Sequence, residues 1–214
     1  DYDHHDPSIQ SHDHNNLPGL IMNRDLHSIR RDYQFDDLLE EQSGNDPLAL
    51  FDTWLEKAIE TCPDDPTAMV LSSVDVDGWP HSRVVLLKQR NEFGFSFFTN
   101  YDSEKAQQLA HNTIEKVSRE ISETYFASRP RGSQLAARTS KQSAVIENRD
   151  VLQKAFNAEE LAFNEQDVPC PENWGGYVLK PKFIEFWQGR PSRLHDRICF
   201  ILDSDQWIKV RKAP

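Results

Sequence analysis

The chain has little cysteine and no excess of positive charge, and each shortage excludes a class of function. Its three cysteines, Cys62, Cys170 and Cys199, lie far apart and are odd in number. No CxxC spacing is present, so neither a zinc knuckle nor a disulfide framework is expected, and no metal site is assigned. Free thiols in a reducing cytoplasm are the expectation. No run approaches the ~20 apolar residues that span a bilayer. The N-terminus also lacks the apolar region of a secretory signal. A formal net charge of −11 over 214 residues opposes general affinity for nucleic acid or an anionic membrane. A small anionic ligand remains compatible, because a few arginines in a cleft set the local field.

What is present suits one globular domain. Hydrophobic residues make up 37% of the chain and aromatics 10%, enough for a sizeable core. The mean hydropathy of −0.70 points to polar extensions. Residues 1–28 read as a disordered or weakly ordered tail, rich in His, Asp, Asn and Ser near its start. His4, His5, His12 and His14 could bind a transition metal weakly, or simply be solvated. The domain is expected over 29–214.

Turn and cap signals order the elements. A short helix is plausible over Ile21–Tyr33, followed by an acidic loop from Asp36 to Asn45. Asp46-Pro47 opens a helix, since Asp caps well and Pro suits the first helical position. Thr67–Val74 and Ser82–Lys88 flank a tight turn at Asp77-Gly78, and Phe95–Thr99 adds a third strand of an antiparallel meander. Ser103, Ser118 and Asn148 stand where helices begin. Four further strands are expected over 176–179, 184–187, 198–202 and 206–210. Strands on both sides of a helical insert predict a β-barrel with helices packed outside.

Several polar groups demand an explanation. Arg83 and Lys88 share a strand whose intervening residues are apolar, and their odd separation sends them to opposite faces. Either an anionic ligand or a structural ion pair would account for them. Tyr125, Arg129, Arg131 and Ser133 crowd a helix end; guanidinium forks and hydroxyls match phosphate oxygens, although many helix ends look like this. Arg193, His195 and Arg197 alternate, so on a strand they would face one way and repel one another unless an anion sat among them. A charged barrel rim is the alternative.

Taken in order, these tracts resemble the pyridoxine/pyridoxamine 5′-phosphate oxidase family. They are Arg83–Lys88, Phe98-Thr-Asn100 with Ser103 and Lys105, Tyr125–Gln134, Ser140–Ser143, Trp174-Gly-Gly176, Glu185–Gly189 and Arg193–Arg197. The similarity runs from about Ile29 to Pro214. The resemblance implies a mainly β fold with flanking helices, an antiparallel split β-barrel of the FMN-binding type, and a homodimer with FMN at the subunit interface. It implies that Arg83, Val84, Leu86, Lys88, Phe98, Thr99, Ser103, Lys105, Gln142, Ser143, Trp187 and Arg197 hold FMN. Lys88, Tyr125, Arg129 and Ser133 match positions that grip the substrate phosphate. Arg193 and His195, the catalytic candidates, match residues over the pyridine ring, and Arg30 and Tyr33 match a segment that closes over the substrate. The implied reaction oxidises pyridoxamine 5′-phosphate or pyridoxine 5′-phosphate at C4′. Hydride passes to the flavin, and dioxygen accepts the electrons as hydrogen peroxide. The cofactor carries the redox chemistry and the protein orients the reacting carbon.

The chain departs from the family at three places. After His111-Asn112, about two strands' worth of sequence is expected to be absent, judged by ordinary strand lengths. That stretch would end in a flavin-contacting glutamine. Glu104 stands where the family usually has arginine, beside the expected flavin phosphate. The ending Arg211-Lys-Ala-Pro214 differs from the usual Arg-Leu-Ala-Pro. A shortened form that binds flavin or pyridoxal phosphate without turnover is therefore the alternative reading.

Overall fold

Asp46 accepts a hydrogen bond from the Leu48 amide at 2.9 Å, and Pro47 opens helix α1 (Pro47–Thr61), as the local chemistry requires. This helix is part of a computed structural model that describes residues 33, 35–109 and 114–214. The expected tail, most of the Ile21–Tyr33 helix and Arg30 lie outside the described residues. Leu50 and Phe51 of α1 pack on Leu38, Phe186, Ile198 and Phe200.

Strands β1 (Ala68–Val74) and β2 (Pro80–Leu86) form a hairpin in the register Val70↔Val84. Its turn is held by Asp75, whose Oδ1 accepts from the amides of Asp77 and Trp79. Gly78 adopts φ 89° there, a conformation that side-chain-bearing residues disfavour.

The expected meander over three strands needs correction. The hairpin is a two-stranded sheet of its own, and the next strand pairs elsewhere. A short strand β3 (Gln89–Asn91) turns back into β4 (Gly94–Asn100). Strand β4 then pairs with β6 (Trp174–Leu179), and β6 with β5 (Ile114–Lys116). The resulting order is β3-β4-β6-β5, and all its pairings are antiparallel. The third sheet contains β7 (Phe183–Gln188), β8 (Asp196–Asp203) and β9 (Gln206–Arg211), also antiparallel.

Helix α2 (Glu104–Leu109) follows β4. Ser103 does not cap it with its side chain as expected; its buried hydroxyl donates to the Asn100 carbonyl instead. Helices α3 (Arg119–Ser128), α4 (Arg131–Thr139) and α5 (Arg149–Ala162) form the insert. Ser118 and Asn148 do cap α3 and α5, accepting from Ile121 and Val151 amides.

One core joins Leu71, Phe97, Ala106, Leu109, Ile114 and Tyr177 between the hairpin, α2 and the four-stranded sheet. Phe97 is almost fully buried, so truncating it to alanine would cost about 3–5 kcal/mol. Among the described residues β1 pairs only with β2 and β5 only with β6, so each keeps one edge without a strand partner. A cleft of about 600 Å³ lies beside those edges, lined by Leu71 to Val76, Glu104, Leu109 and Ile114.

Candidate active site

A second cleft, of about 630 Å³, opens where β2, β4 and the α3–α4 joint meet. Val84 and Leu86 lie on the outward face of β2, and with Val85 and Lys88 they line one wall. Phe98 and Thr99 of β4, Lys105 of α2 and Gln142 form the next. Tyr125, Arg129 and Ser133 close it from the helical insert. The structure thus brings together the expected phosphate-gripping residues and much of the expected flavin wall.

Lys105 anchors the polar end. Its Nζ donates to Thr99 Oγ1 at 3.1 Å, Ser103 Oγ at 3.3 Å and Gln142 Oε1 at 2.9 Å, while Thr99 also donates to Gln142. Burial, and then the nearby Arg83 charge, pull its ammonium pKa below the ordinary lysine value. Arg83 itself turns away from the cleft lining. Its guanidinium donates to Ser73 Oγ and Gln108 Oε1, and to the Leu71 and His81 carbonyls. Among the described residues neither cation forms an ion pair with a carboxylate, an arrangement that favours an anionic ligand.

Arg129 marks the other anionic position. It is the C-cap of α3, and its buried Nη1 has no hydrogen-bond partner. Burial lowers its pKa, and likewise raises that of neighbouring Tyr125. The guanidinium carbon lies 4.7 Å from the Trp174 ring centroid. Tyr125, Phe98 and Trp174 lie nearly parallel, with Phe98 and Tyr125 centroids 4.0 Å apart. Gly176 makes this possible: a Cβ there would come within 2.8 Å of Phe98 Cε1. An orphaned guanidinium above an aromatic floor fits a phosphorylated, ring-bearing ligand.

The remaining expected residues lie apart from this cleft. Ser143 borders an adjoining hollow with Glu104, whose amide donates to Ser143 Oγ, and it adopts φ 72°. Trp187, Arg193, His195 and Arg197 belong to the β7–β8 region. The picture of Arg193, His195 and Arg197 alternating along one strand is corrected. Pro191–Arg193 form a single 3-10 turn, Ser192 and Arg193 adopt positive φ, and the strand starts only at Asp196. Arg197 also has a carboxylate of its own and needs no shared anion. Glu185 on the adjacent strand pairs with Arg197, and Asp196 takes Arg190 and Arg211. His195 Nδ1 accepts from the Arg190 amide at 3.0 Å, which assigns the ring proton of a neutral imidazole to Nε2. Tyr33 packs edge-on against both His195 and Trp187, and a Cβ at Gly189 would strike its ring at 2.6 Å.

Sequence reasoning missed two contributors. Trp174 stood in a quoted motif without a role, and nothing local to it signals the arginine more than forty positions earlier. Glu185 could have been found from its place two residues before Trp187, which faces Arg197 across the ladder.

Comparison with known proteins decides the ancestry. Residues 55–162 match the family described as pyridoxamine 5′-phosphate oxidase, and 174–214 match the pyridoxine 5′-phosphate oxidase C-terminal dimerisation region. The chain belongs to the pyridoxine/pyridoxamine 5′-phosphate oxidase family. Among its relatives, the pyridoxine/pyridoxamine 5′-phosphate oxidase of Pseudomonas fluorescens Pf-5 is 44% identical over 215 residues, covering 90% of this chain and all of the relative. A Hydrogenovibrio crunogenus relative is 46% identical over 90% of this chain and 99% of its own length. The fold resembles PhzG of Burkholderia lata, with a TM-score of 0.76 at 22% identity over 84% of this chain and 98% of that one. A pyridoxamine 5′-phosphate oxidase-related, FMN-binding protein of Nostoc punctiforme gives a TM-score of 0.63 at 13% identity over 80% of this chain and all of that one. Family membership makes the chain an oxidoreductase of the pyridoxamine-phosphate-oxidase type. Among the described residues no helix is long and apolar enough to cross a membrane, and no acidic, His or Cys cluster could hold a metal.

Proposed function

We propose that the protein oxidises pyridoxamine 5′-phosphate and pyridoxine 5′-phosphate to pyridoxal 5′-phosphate, using FMN and dioxygen and releasing hydrogen peroxide. The observation that carries this reading is the unpartnered, buried Nη1 of Arg129 in a cleft shared with Lys88, Tyr125 and Ser133. A phosphate ester supplies the missing acceptors. In this reading 29–214 act as one domain serving vitamin B6 salvage in the cytoplasm.

The chain's polar residues also fit FMN. Lys105, with Thr99, Ser103 and Gln142 around it, offers donors and charge to a flavin phosphate, Ser143 stands in the adjoining hollow, and Arg83 adds positive field from behind. Val84, Leu86 and Phe98 present apolar surface to a flat ring, and Lys88 adds a further positive charge to the cleft. FMN, when bound, supplies the electron acceptor that dioxygen reoxidises. Arg193 and His195 orient the substrate, and the Nε2–H of His195 is the proton donor available there. Tyr33 covers that imidazole and shields the reacting carbon from water.

A second protomer completes the site. Trp187 and Arg197 are absent from the cleft lining, while the region that carries them matches the family's dimerisation region. Val70 and Val84 leave 67% and 69% of their surface exposed on the outward face of β1–β2, beside the cleft. A second copy is the natural cover for such a face.

One observation favours the second reading, a flavin- or pyridoxal-phosphate-binding form with impaired turnover. Nine-tenths of 214 residues is about 193, so about 22 positions of the 215-residue Pseudomonas span have no counterpart here. We infer that they correspond to the two strands expected after Asn112. The bare edges of β1 and β5 and the cleft beside them support that placement. Purified protein separates the readings: flavin absorbance reports binding, and peroxide release on adding pyridoxamine 5′-phosphate reports turnover. Full flavin occupancy without peroxide selects the binding form.

A further inference from the structure

Arg129 is held in an unusual way for a half-buried guanidinium. No carboxylate pairs with it and no side-chain hydrogen bond fixes it among the described residues, and its Nη1 is buried without a partner. Its contacts are aromatic. The guanidinium carbon lies 4.7 Å from the Trp174 ring centroid and 5.6 Å from that of Phe126. Trp174 is itself rigid. It opens β6 opposite Asn100 of β4, only 5% of it is exposed, and its carbonyl accepts from Arg119 at 3.3 Å. Phe126 meets its ring edge-on at 5.1 Å.

The backbone leaves Arg129 in need of such a support. It caps α3 with extended φ and ψ, and the next residue, Pro130, begins the entry to α4. A side chain on this joint has many rotamers open to it, and confining them costs entropy. A carboxylate could confine them but would also occupy the N–H groups and cancel the charge. A ring face attracts the cation through its quadrupole and leaves the N–H groups in the guanidinium plane free.

We propose that Trp174 is a positioning residue that holds Arg129 for the phosphate of the ligand. The inference rests on the proposed reading of the cleft as a phosphate-ester site. Trp174 acts through Arg129, which makes the phosphate contact together with Ser133 and Lys88. Because that contact persists from bound substrate to product, Trp174 governs affinity more than the chemical step.

The test compares Trp174→Phe and Trp174→Leu in the full-length, flavin-loaded protein, each alone and combined with Arg129→Met. Calorimetry measures affinity for inorganic phosphate and for pyridoxal 5′-phosphate, neither of which requires turnover. Trp174→Leu is expected to weaken both by roughly tenfold, the size of a partly desolvated cation–π contact. Trp174→Phe, which keeps a ring face, should restore most of that loss. In the Arg129→Met background the Trp174 substitutions should change phosphate affinity no further. Equal losses in Phe and Leu variants, unchanged affinity in Trp174→Leu, or additive losses in the double variants would overturn the proposal. Should Trp174→Leu fail to fold, Trp174→Met, which also lacks a ring face, takes its place alone and combined with Arg129→Met, with the same expected losses and the same overturning outcomes. Intact phosphate coupling without peroxide release from pyridoxamine 5′-phosphate would refute the oxidase reading and leave the role of Trp174 standing.

Discussion

Arg197 on β8 grips Glu185 on β7 with two parallel bonds, Nε to Oε1 at 2.7 Å and Nη2 to Oε2 at 3.0 Å. The remaining Nη1 reaches the Ala213 carbonyl at 2.9 Å. This bidentate geometry orients the guanidinium and leaves it less free to follow a ligand. Glu185→Gln removes the charge and one good acceptor, so FMN should bind several-fold more weakly while the β7–β8 ladder persists. Flavin fluorescence titration of the variant checks this; unchanged affinity would detach Arg197 from the cofactor site.

In the proposed reading Arg129 holds the substrate phosphate. Arg129→Met should raise KM for pyridoxamine 5′-phosphate by about 30- to 150-fold, the loss of a charge-assisted contact worth about 2–3 kcal/mol. The same variant should retain its flavin, since Arg129 packs on Trp174 and Phe126, while Lys105 bonds to Thr99, Ser103 and Gln142. Steady-state kinetics with measured flavin content distinguishes the two effects.

If Lys105 holds the flavin phosphate as proposed, flavin affinity should depend on alkaline pH. Burial and the Arg83 charge hold its ammonium below the ordinary 10.5, so the free site loses that charge earlier than a solvated lysine would. Affinity should be full at neutral pH and fall as pH rises through a value below 10.5. Lys105→Met should bind weakly throughout and lose the pH step. A wild-type profile flat to pH 10.5 would contradict the assignment.

In the proposed reading Glu104 lies beside the flavin phosphate and opposes it. It is exposed, and its backbone amide rather than its carboxylate meets Ser143. Glu104→Arg should tighten FMN binding several-fold at low salt, with the gain shrinking as ionic strength screens it. Equal affinity at all salt concentrations would show that this side chain turns away.

Acid should release the segment that leads to Tyr33. Arg211 holds Glu40 and also reaches Asp196 and the Leu38 carbonyl. The Arg211 hydrogen bond lowers the Glu40 pKa from 4.5 to about 2. A depressed folded value means the pairing stabilises fully above the unfolded value and is lost as pH falls toward about 2. Tryptophan fluorescence should therefore report detachment between about pH 4.5 and 2, and Glu40→Gln should abolish that window.

Local chemistry made much of the fold legible beforehand. Asp46, Ser118 and Asn148 cap their helices as their residue types dictate, and the Asp77-Gly78 turn closes its hairpin. What escaped was long-range pairing. Strands β3 and β5 are three residues each, too short to show alternation, and β4 finds β6 from the far side of the helical insert. The site divides in the same way. Tyr125, Arg129 and Ser133 cluster because consecutive helices carry them, so their spacing was readable. Arg193 and His195 were misplaced because Ser192 and Arg193 turn left-handed, which strand alternation cannot anticipate. Trp174 and Glu185 act through residues on other elements, and only the folded arrangement shows whom they serve.

The most direct measurement is the stoichiometry of the reaction catalysed by the flavin-loaded protein on pyridoxamine 5′-phosphate. The account predicts bound FMN, and hydrogen peroxide and pyridoxal 5′-phosphate in equal amounts. Flavin bound at full occupancy with neither product formed would contradict it.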